Sequence, residues 1–343
     1  MTLVVGNESC DLDSAVSALV YGAYLHWQYM QIKCKVCTKV HRDETMYKDD
    51  IFIPLMNIDR EDYNLKTEVE FCFKEHGLDE SKLVFRNDYD FKTLVSVQRT
   101  NVVLVDHHVP AARDQYLLPY VTEVIDHRPV DRDHWTHKDD TRTTLEVTGS
   151  CSTLIASRIR GLTALVASKD EFFQSNPTAT DLLHCAIILD TVNFSKEVNK
   201  GTPQDVEMAA YLESILKPSS FFEEDRKCKL QRLLAARQDV SQLGTPQLLK
   251  KDLKIVQNVL VPSFPILVEE FVQKPAALES VTEAMSSNGC SMALLLGMCL
   301  EDGLKRDGAI FAADPADAAK VQYTTVTIST AAVQPISDST TPF

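Results

Sequence analysis

The chain of 343 residues has no apolar run near the roughly 18 residues that a membrane-spanning helix needs, so no membrane span is expected. It also lacks an excess of positive charge: 35 Lys and Arg stand against 49 Asp and Glu, a net charge of −14. This argues against a broad nucleic-acid surface, which is built on clustered cations, while leaving room for a small basic site. A targeting segment is not expected either, because Met1-Thr2-Leu3-Val4-Val5-Gly6 runs directly into a strand pattern. Nine cysteines without a secretory signal point to free thiols in a reducing compartment. The expected location is the cytoplasm, with nucleus or organelle left open. Cys34-x-x-Cys37 lacks a second matching pair, and Lys33, Lys35 and Lys39 suit a surface strand, so neither half a zinc site nor a redox pair is expected there.

What the chain does have is one pattern written twice. Val102-Val103-Leu104-Val105 ends in Asp106-His107-His108, and twenty residues on Val121 to Ile125 ends in Asp126-His127-Arg128. Short runs rich in Val and Ile read as buried strands of a parallel sheet. Ligands of such sheets bind just beyond the carboxyl ends of the strands. Residues 111–120 suffice for a short crossover between the two runs. Leu3 to Val5 reads as the first strand, followed by a helix with Ala15, Leu19, Ala23 and Trp27 on one face. Ile51 to Leu55 and Leu83 to Phe85 are further strands, and Glu61 to His76 is an amphipathic helix ended by Gly77. The charged stretch 131–144 reads as an exposed excursion over the site. Gly149 to Thr153 opens one helix, and Asn176-Pro177-Thr178 opens another that ends at Asp190.

This alternation predicts a doubly wound, mainly parallel α/β domain over residues 1–217. A boundary near Pro218 leads to a smaller α+β domain over 218–330, then a Ser/Thr/Pro-rich disordered tail over 331–343. The second domain is expected to open on a charged helix, Phe221 to Asp239. Its expected strands are Val256–Val261, Ile266–Phe271, Met292–Leu300, Ala309–Ala312 and Tyr323–Ile328, with helices at Ala276–Ser286 and Pro315–Lys320.

Asp11, Asp13, Asp106, His127 and Asp190 are all predicted at strand or helix ends on one edge, with His107, His108 and Arg128 adjacent. Each Asp-His pair could also merely cap a strand or turn. Asp11, Asp13 and Ser14 stand where helix N-caps are favoured, although capping requires only one Asp. Four carboxylates gathered in one place cannot stay ionised and buried without counter-charge. Two divalent ions about 3.5–4 Å apart would supply it and could hold the attacking and leaving oxygens of a phosphoryl displacement, with a water activated between them. His107, His108 and Arg128 are the donors that could orient and neutralise phosphate. The spacing therefore predicts a metal-dependent hydrolase of phosphate compounds. Cys10 and Cys151 are read as packing residues, His134 and His137 as loop histidines, and Asp88 and Asp90 as helix N-caps with Asp88 alternatively near the metals.

Asp11-x-Asp13-Ser14, Asp106-His107-His108, Asp126-His127-Arg128, Gly149-Ser150-Cys151-x-Thr153 and Ala186-Ile187-Ile188-Leu189-Asp190 together resemble the DHH phosphoesterase superfamily. The turn Gly6 to Ser14, Val105-Asp106-His107-His108 and Ile125-Asp126-His127-Arg128-Pro129 resemble its prune subgroup, related to exopolyphosphatases and family II inorganic pyrophosphatases. Leu248 to Lys254 is similar to part of the DHHA2 module. The resemblance implies two Mg²⁺ or Mn²⁺ ions. The first would sit on Asp11 and Asp106, with Asn7 where the pyrophosphatases have His. The second would take Asp13, Asp106, His127 and Asp190, so that Asp106 bridges. Asp126 is then expected as support, and Arg128 stands in place of a second His as a phosphate donor.

The implied activity is hydrolysis of short-chain inorganic polyphosphate. The alternatives are a 3',5'-cyclic nucleotide phosphodiesterase and a weakly active scaffold that binds nucleoside diphosphate kinase. The basic Ser-Arg-Lys-Lys cluster of the module is not found here; Lys305 and Arg306 are the nearby basic pair, either contacting substrate or lying on a solvated turn. A RecJ-like nuclease would need a Gly-Gly-Gly-His-type signature and a basic channel, and neither is present.

Overall fold

Six parallel strands organise the first part of the chain: β1 (Thr2–Val5), β2 (Phe52–Met56), β3 (Val84–Phe85), β4 (Asn101–Val105), β5 (Val121–Asp126) and β6 (Arg142–Leu145). A computed structural model describes residues 1–36, 50–130, 133, 135–217, 225–256, 258–299 and 305–312. The chain divides into two units, Met1–Arg237 and Gln238–Phe343. In the first, the strands lie in the order β3-β2-β1-β4-β5-β6. Strand order reverses between β1 and β4, the place where a ligand crevice is expected in such sheets. The expected doubly wound domain is what the structure shows.

The helices of this unit are α1 (Leu12–Val36), α2 (Thr67–Glu75), α3 (Phe91–Val97), α4 (Cys151–Val166), α5 (Glu171–Ser175), α6 (Pro177–Asp190), α7 (Pro203–Leu216) and α8 (Arg226–Gln238). Alternate strand residues face opposite layers. Val4, Val103, Val105 and Ile125 join a core with Val16, Ile155, Ile187 and Leu212 from α1, α4, α6 and α7. Leu3, Val5, Val102, Leu104 and Val124 join the other, with Phe91 and Val95 of α3. Burial on both faces explains why these strands read as continuous apolar runs. Gly6 is required at the end of β1, because a Cβ there would collide with Ser14 Oγ.

Several expectations shift. The division falls after Arg237 rather than near Pro218. The helix assigned to the start of the second domain belongs to the first unit, since Leu233 of α8 enters the main core and Lys229 donates to Asp181 Oδ1 at 2.5 Å. Burying one such leucine is worth about 1.5–3 kcal/mol. The excursion over 131–144 ends in β6, an edge strand whose Arg142 bonds Glu123 of β5 at 2.9 Å. The helix expected over Glu61–His76 starts as a 3-10 segment, Arg60–Leu65, and becomes α2 at Thr67. Pro218, Cys37, His134, the expected elements at 315–320 and 323–328 and the tail lie outside the described residues, as does the side chain of Cys34. Lys33 lies in α1, not in a strand.

The second unit carries α9 (Thr245–Lys251), β7 (Leu253–Val256), β8 (Val259–Phe264), α10 (Val268–Val272), α11 (Ala277–Ser287), β9 (Met292–Cys299) and β10 (Lys305–Ala312). Its sheet runs β10-β9-β8-β7, with β8 and β9 parallel and the outer pairs antiparallel. It is the smaller α+β domain expected. The run at Ile266–Phe271 is helical rather than a strand. Asp307 of β10 accepts from the first amides of α10, Val268 N at 2.8 Å and Glu269 N at 3.1 Å, and Phe271 stacks on Phe264. A short apolar run does not by itself distinguish these two states. Lys305 and Arg306 open β10 and are exposed, so they stand in a strand rather than at a turn. No helix among the described residues is long and apolar enough to cross a membrane.

Candidate metal centre

Asp106 leaves β4 with a positive φ of 61°, a conformation costing a side-chain-bearing residue on the order of 1 kcal/mol or more. The twist directs its carboxylate inward, where it is 1% exposed. Oδ2 accepts from Asn7 Nδ2 at 2.7 Å. Oδ1 is buried and has no hydrogen-bond partner. The nearest cations are His127 Nε2 at 3.2 Å and Arg128 Nη2 at 3.8 Å. Burial first, and the charge of Asp13 second, push the Asp106 carboxyl well above the usual carboxylate range. An unsatisfied buried acceptor costs about 1–3 kcal/mol, more if charged, and a cation at this oxygen removes that cost.

Asp13 approaches from the start of α1. Its Oδ1 accepts from Ser150 Oγ at 2.8 Å, Ser152 N at 2.8 Å and Ser152 Oγ at 2.7 Å, and its Oδ2 from Cys151 N at 2.7 Å. The amides come from the first turn of α4, whose dipole favours an anion. This leaves lone-pair capacity on Oδ2. His127 follows β5, and its Nδ1 donates to Thr148 O at 2.9 Å, which fixes the tautomer and leaves Nε2 toward Asp106. Burial alone would lower its pKa, but the facing Asp106 carboxylate and the charge of Asp13 carry it up to about 9. Ligand atoms of Asp13, Asp106 and His127 all lie within 4.8 Å of one another. Two carboxylates and one oriented imidazole, with one carboxylate oxygen unpartnered, fit a divalent ion such as Mg²⁺ or Mn²⁺.

The other expected residues divide. Asp190 ends α6 outside that tight group, and Lys200 Nζ holds its Oδ2 at 2.8 Å. Burial and the charge of Asp13 raise its pKa to about 7 despite that lysine. Asp11 caps α1 by accepting from Ser14 N at 3.1 Å, so for this Asp the capping reading holds, while its charge is still felt at Asp106 and Asp190. Asn7, a candidate substrate contact, has both amide ends engaged: Nδ2 on Asp106, and Oδ1 accepting from Ser9 N at 2.9 Å and Cys10 N at 3.2 Å. Those backbone donors forbid turning the amide over.

Asp126 is fully committed. Oδ2 pairs with His108 Nδ1 at 2.5 Å, and Oδ1 accepts from His127 N at 2.8 Å and Arg128 N at 3.3 Å. His107 Nδ1 donates to Val105 O at 2.9 Å, and burial lowers its pKa. A neutral ring so placed has Nε2 as an acceptor, which weakens the expected role of His107 as a phosphate donor. Arg128 is half exposed beside Asp106. Lys305 and Arg306 belong to the second unit. Asp88 holds Arg60 through a paired contact, Oδ1 to Nε at 2.9 Å and Oδ2 to Nη2 at 2.6 Å, and Asp90 caps α3.

Sequence reading missed a supporting layer. Asp205 accepts from Gly149 N at 2.8 Å and Thr153 Oγ1 at 2.5 Å, holding the turn that presents Ser150 and Ser152 to Asp13. Its signal was Thr202-Pro203-Gln204-Asp205, a helix-start pattern that forms a capping box. Lys200 sits in a polar stretch and gave no signal. His137, read as a solvated loop residue, places Nε2 2.6 Å from His108 O, and Trp135 lies 6.3 Å from the His108 ring.

No family model matches the chain. It is 31% identical over 280 residues to exopolyphosphatase PRUNE1 of Homo sapiens, covering 79% of this chain and 54% of that protein. To exopolyphosphatase PRUNE1 of Rattus norvegicus it is 33% identical over 289 residues, 82% of this chain and 56% of that protein. The chain thus spans about half the length of the curated relatives it matches. Among solved structures, a Methanococcus jannaschii protein assigned as a family II inorganic pyrophosphatase superposes with a TM-score of 0.58 at 20% identity, over 96% of this chain and 93% of that one. At that identity the likeness establishes the fold.

Proposed function

We propose, for a chain that is homologous over most of its length to the PRUNE1 exopolyphosphatases, that it is a metal-dependent phosphoric-anhydride hydrolase acting on short-chain inorganic polyphosphate. The observation that carries this reading is Asp106 Oδ1, a buried carboxylate oxygen without a donor, set between Asp13 and His127. An Mg²⁺ or Mn²⁺ ion held by those three residues would supply Lewis acidity towards a phosphoryl oxygen and water, and positive charge against the substrate. A second ion, on Asp11 and Asp106, is the weaker of the pair in this proposal, because Asn7 Nδ2 already donates to Asp106 Oδ2. Asp190 would join the ion on Asp13, Asp106 and His127 only in competition with Lys200.

The protein's own groups do the rest. Asp126 holds the His108 ring by Nδ1, so that Nε2 is the atom meeting substrate. Thr148 O fixes His127 and Val105 O fixes His107. The half-exposed Arg128 offers a planar fork to phosphate oxygens next to the metal ligands. Hydrolysis of a phosphoanhydride leaves two anions, and the Arg128 guanidinium lowers the cost of that charge.

A second reading has one observation in its favour. Trp135 beside His108 could stack on a base, which suits a 3',5'-cyclic nucleotide rather than bare polyphosphate. Binding of nucleoside diphosphate kinase by a weakly active scaffold rests on resemblance alone, and action in the cytoplasm on the cysteine usage. Purified protein with Mg²⁺ or Mn²⁺ should release phosphate from tripolyphosphate, and Asp106→Ala should abolish release in a chain with unchanged circular dichroism. Turnover of cyclic AMP but not tripolyphosphate would favour the second reading. Metal binding without either turnover would leave the scaffold.

A further inference from the structure

A second group of ligand-type side chains lies buried in the first unit, formed by residues other than those of the site above. Cys72 and His76 are four residues apart at the end of α2, and Asp181 and Cys185 are four residues apart on α6. Residues at that spacing share a helix face, so two helices each present a pair of donors. His76 Nε2 is 3.0 Å from Asp181 Oδ2, and ligand atoms of His76, Asp181 and Cys185 lie within 4.8 Å of one another. Cys72 Sγ lies outside that tight group, 3.9 Å from His76 Nδ1 on the other side of the ring. His76 Nδ1 donates to Cys72 O at 2.7 Å, which leaves Nε2 as the coordinating atom.

Burial narrows what such a group can do. Cys72 is 2% and Cys185 3% exposed, so a Cys-His-Asp arrangement that attacks a substrate is excluded. Two thiols, an imidazole and a carboxylate are the donor set of a closed tetrahedral zinc site. Zinc bonds of about 2.0–2.3 Å seat ligands roughly 3.3–3.8 Å apart, so His76, Asp181 and Cys185 need only a modest contraction, while Cys72 must turn its thiol from His76 Nδ1 towards the ion. Lys229 Nζ, at 2.5 Å from Asp181 Oδ1, leaves Oδ2 for a metal. Charge also closes: two thiolates, one carboxylate and Lys229 sum to −2, which one Zn²⁺ cancels, as a buried cluster requires.

We propose that Cys72, His76, Asp181 and Cys185 bind one structural zinc ion that ties α2 to α6. Binding releases the two thiol protons and the His76 Nε2 proton that faces Asp181 to solvent, and no electron changes hands. The full chain, stripped of metal and titrated with Co²⁺, should develop a sulfur-to-cobalt charge-transfer band equivalent to one ion per chain, bleached by Zn²⁺. The band should persist in Asp106→Asn and disappear in Cys185→Ser. A folded wild-type protein with no such band at saturating Co²⁺ overturns the proposal. So does a full-strength band that survives in folded Cys185→Ser, because it would then come from thiols outside the cluster. Should Cys185→Ser not fold, Cys72→Ser is read in the same way, with loss of the full-strength two-thiolate band expected and an unchanged band contradicting the site.

Discussion

The turns after β4 and β5 begin with the same dipeptide and end in opposite electrostatic states. Asp126 has both oxygens committed, to His108 and to two backbone amides. Asp106 has one oxygen held by Asn7 and one buried without a donor. Their neighbours differ in the same sense. His108 is pinned by a carboxylate, whereas His127 is pinned by Thr148 O and turns its remaining nitrogen on Asp106. Identical residue types at equivalent strand ends thus become a satisfied carboxylate and an unsatisfied one. The difference arises in Asp106's positive φ and in which loop supplies the donors.

The largest effect should come from Asp106→Asn. Initial rates on tripolyphosphate with Mn²⁺ should fall by about 10³-fold, the scale of removing one preorganised electrostatic group at a reacting centre. A loss under tenfold would place the chemistry elsewhere. Glu213 extends the satisfied class beyond the site. Burial would raise its pKa, but His184 and Arg226 hold it down at about 2. An unfolded glutamate titrates at about 4.3, so this contribution to stability is complete above that pH and is lost as pH falls towards 2. Glu213→Gln should cost about 3 kcal/mol at pH 7, the scale of breaking a buried ion pair. It should also flatten the acid limb of a urea-midpoint profile between pH 5 and roughly 2; an unaltered limb would mean that Glu213 is not held as described.

Asp126→Asn should lower turnover by about 10–100-fold, as loss of an orienting partner does. Its signature is a kcat defect exceeding any loss of Mn²⁺ affinity. A pure affinity defect would make Asp126 a ligand and erase the contrast between the turns. The smallest effect is expected from Asn7→His, which removes the amide held on Asp106 Oδ2 and offers an imidazole in its place. Calorimetry should show the weaker Mn²⁺ event tightening while the stronger one stays put, and an unchanged isotherm would count against Asn7 as the cause of the inequality.

The sequence made the sheet and the ligand-bearing edge legible because the strands are short apolar runs that stop at chemistry-bearing residues. It gave Asp13, Asp106 and His127 as one constellation, and the structure brings those three together. It did not reveal Lys200 on Asp190, since a lysine in a polar stretch reads as solvated surface. Nor did it reveal that Asp11 caps while Asp13 is held by α4, because that distinction depends on which amides reach each carboxylate. The second polar cluster was hidden for a related reason. Cys72, His76, Asp181 and Cys185 form two ordinary helix-face pairs until α2 and α6 are packed together. The boundary shift has the same origin: a highly charged α8 reads as a separate element until Leu233 and Lys229 find their partners in the first unit.

The central claim is that Asp106, and not Asp126, is the ligand. Isothermal titration of Mn²⁺ into wild type, Asp106→Asn and Asp126→Asn under one buffer tests it most directly. The account predicts that the stronger binding event vanishes in Asp106→Asn and survives in Asp126→Asn with a Kd raised less than about tenfold, a milder loss than removal of a direct ligand. Equal losses in the two variants would contradict it.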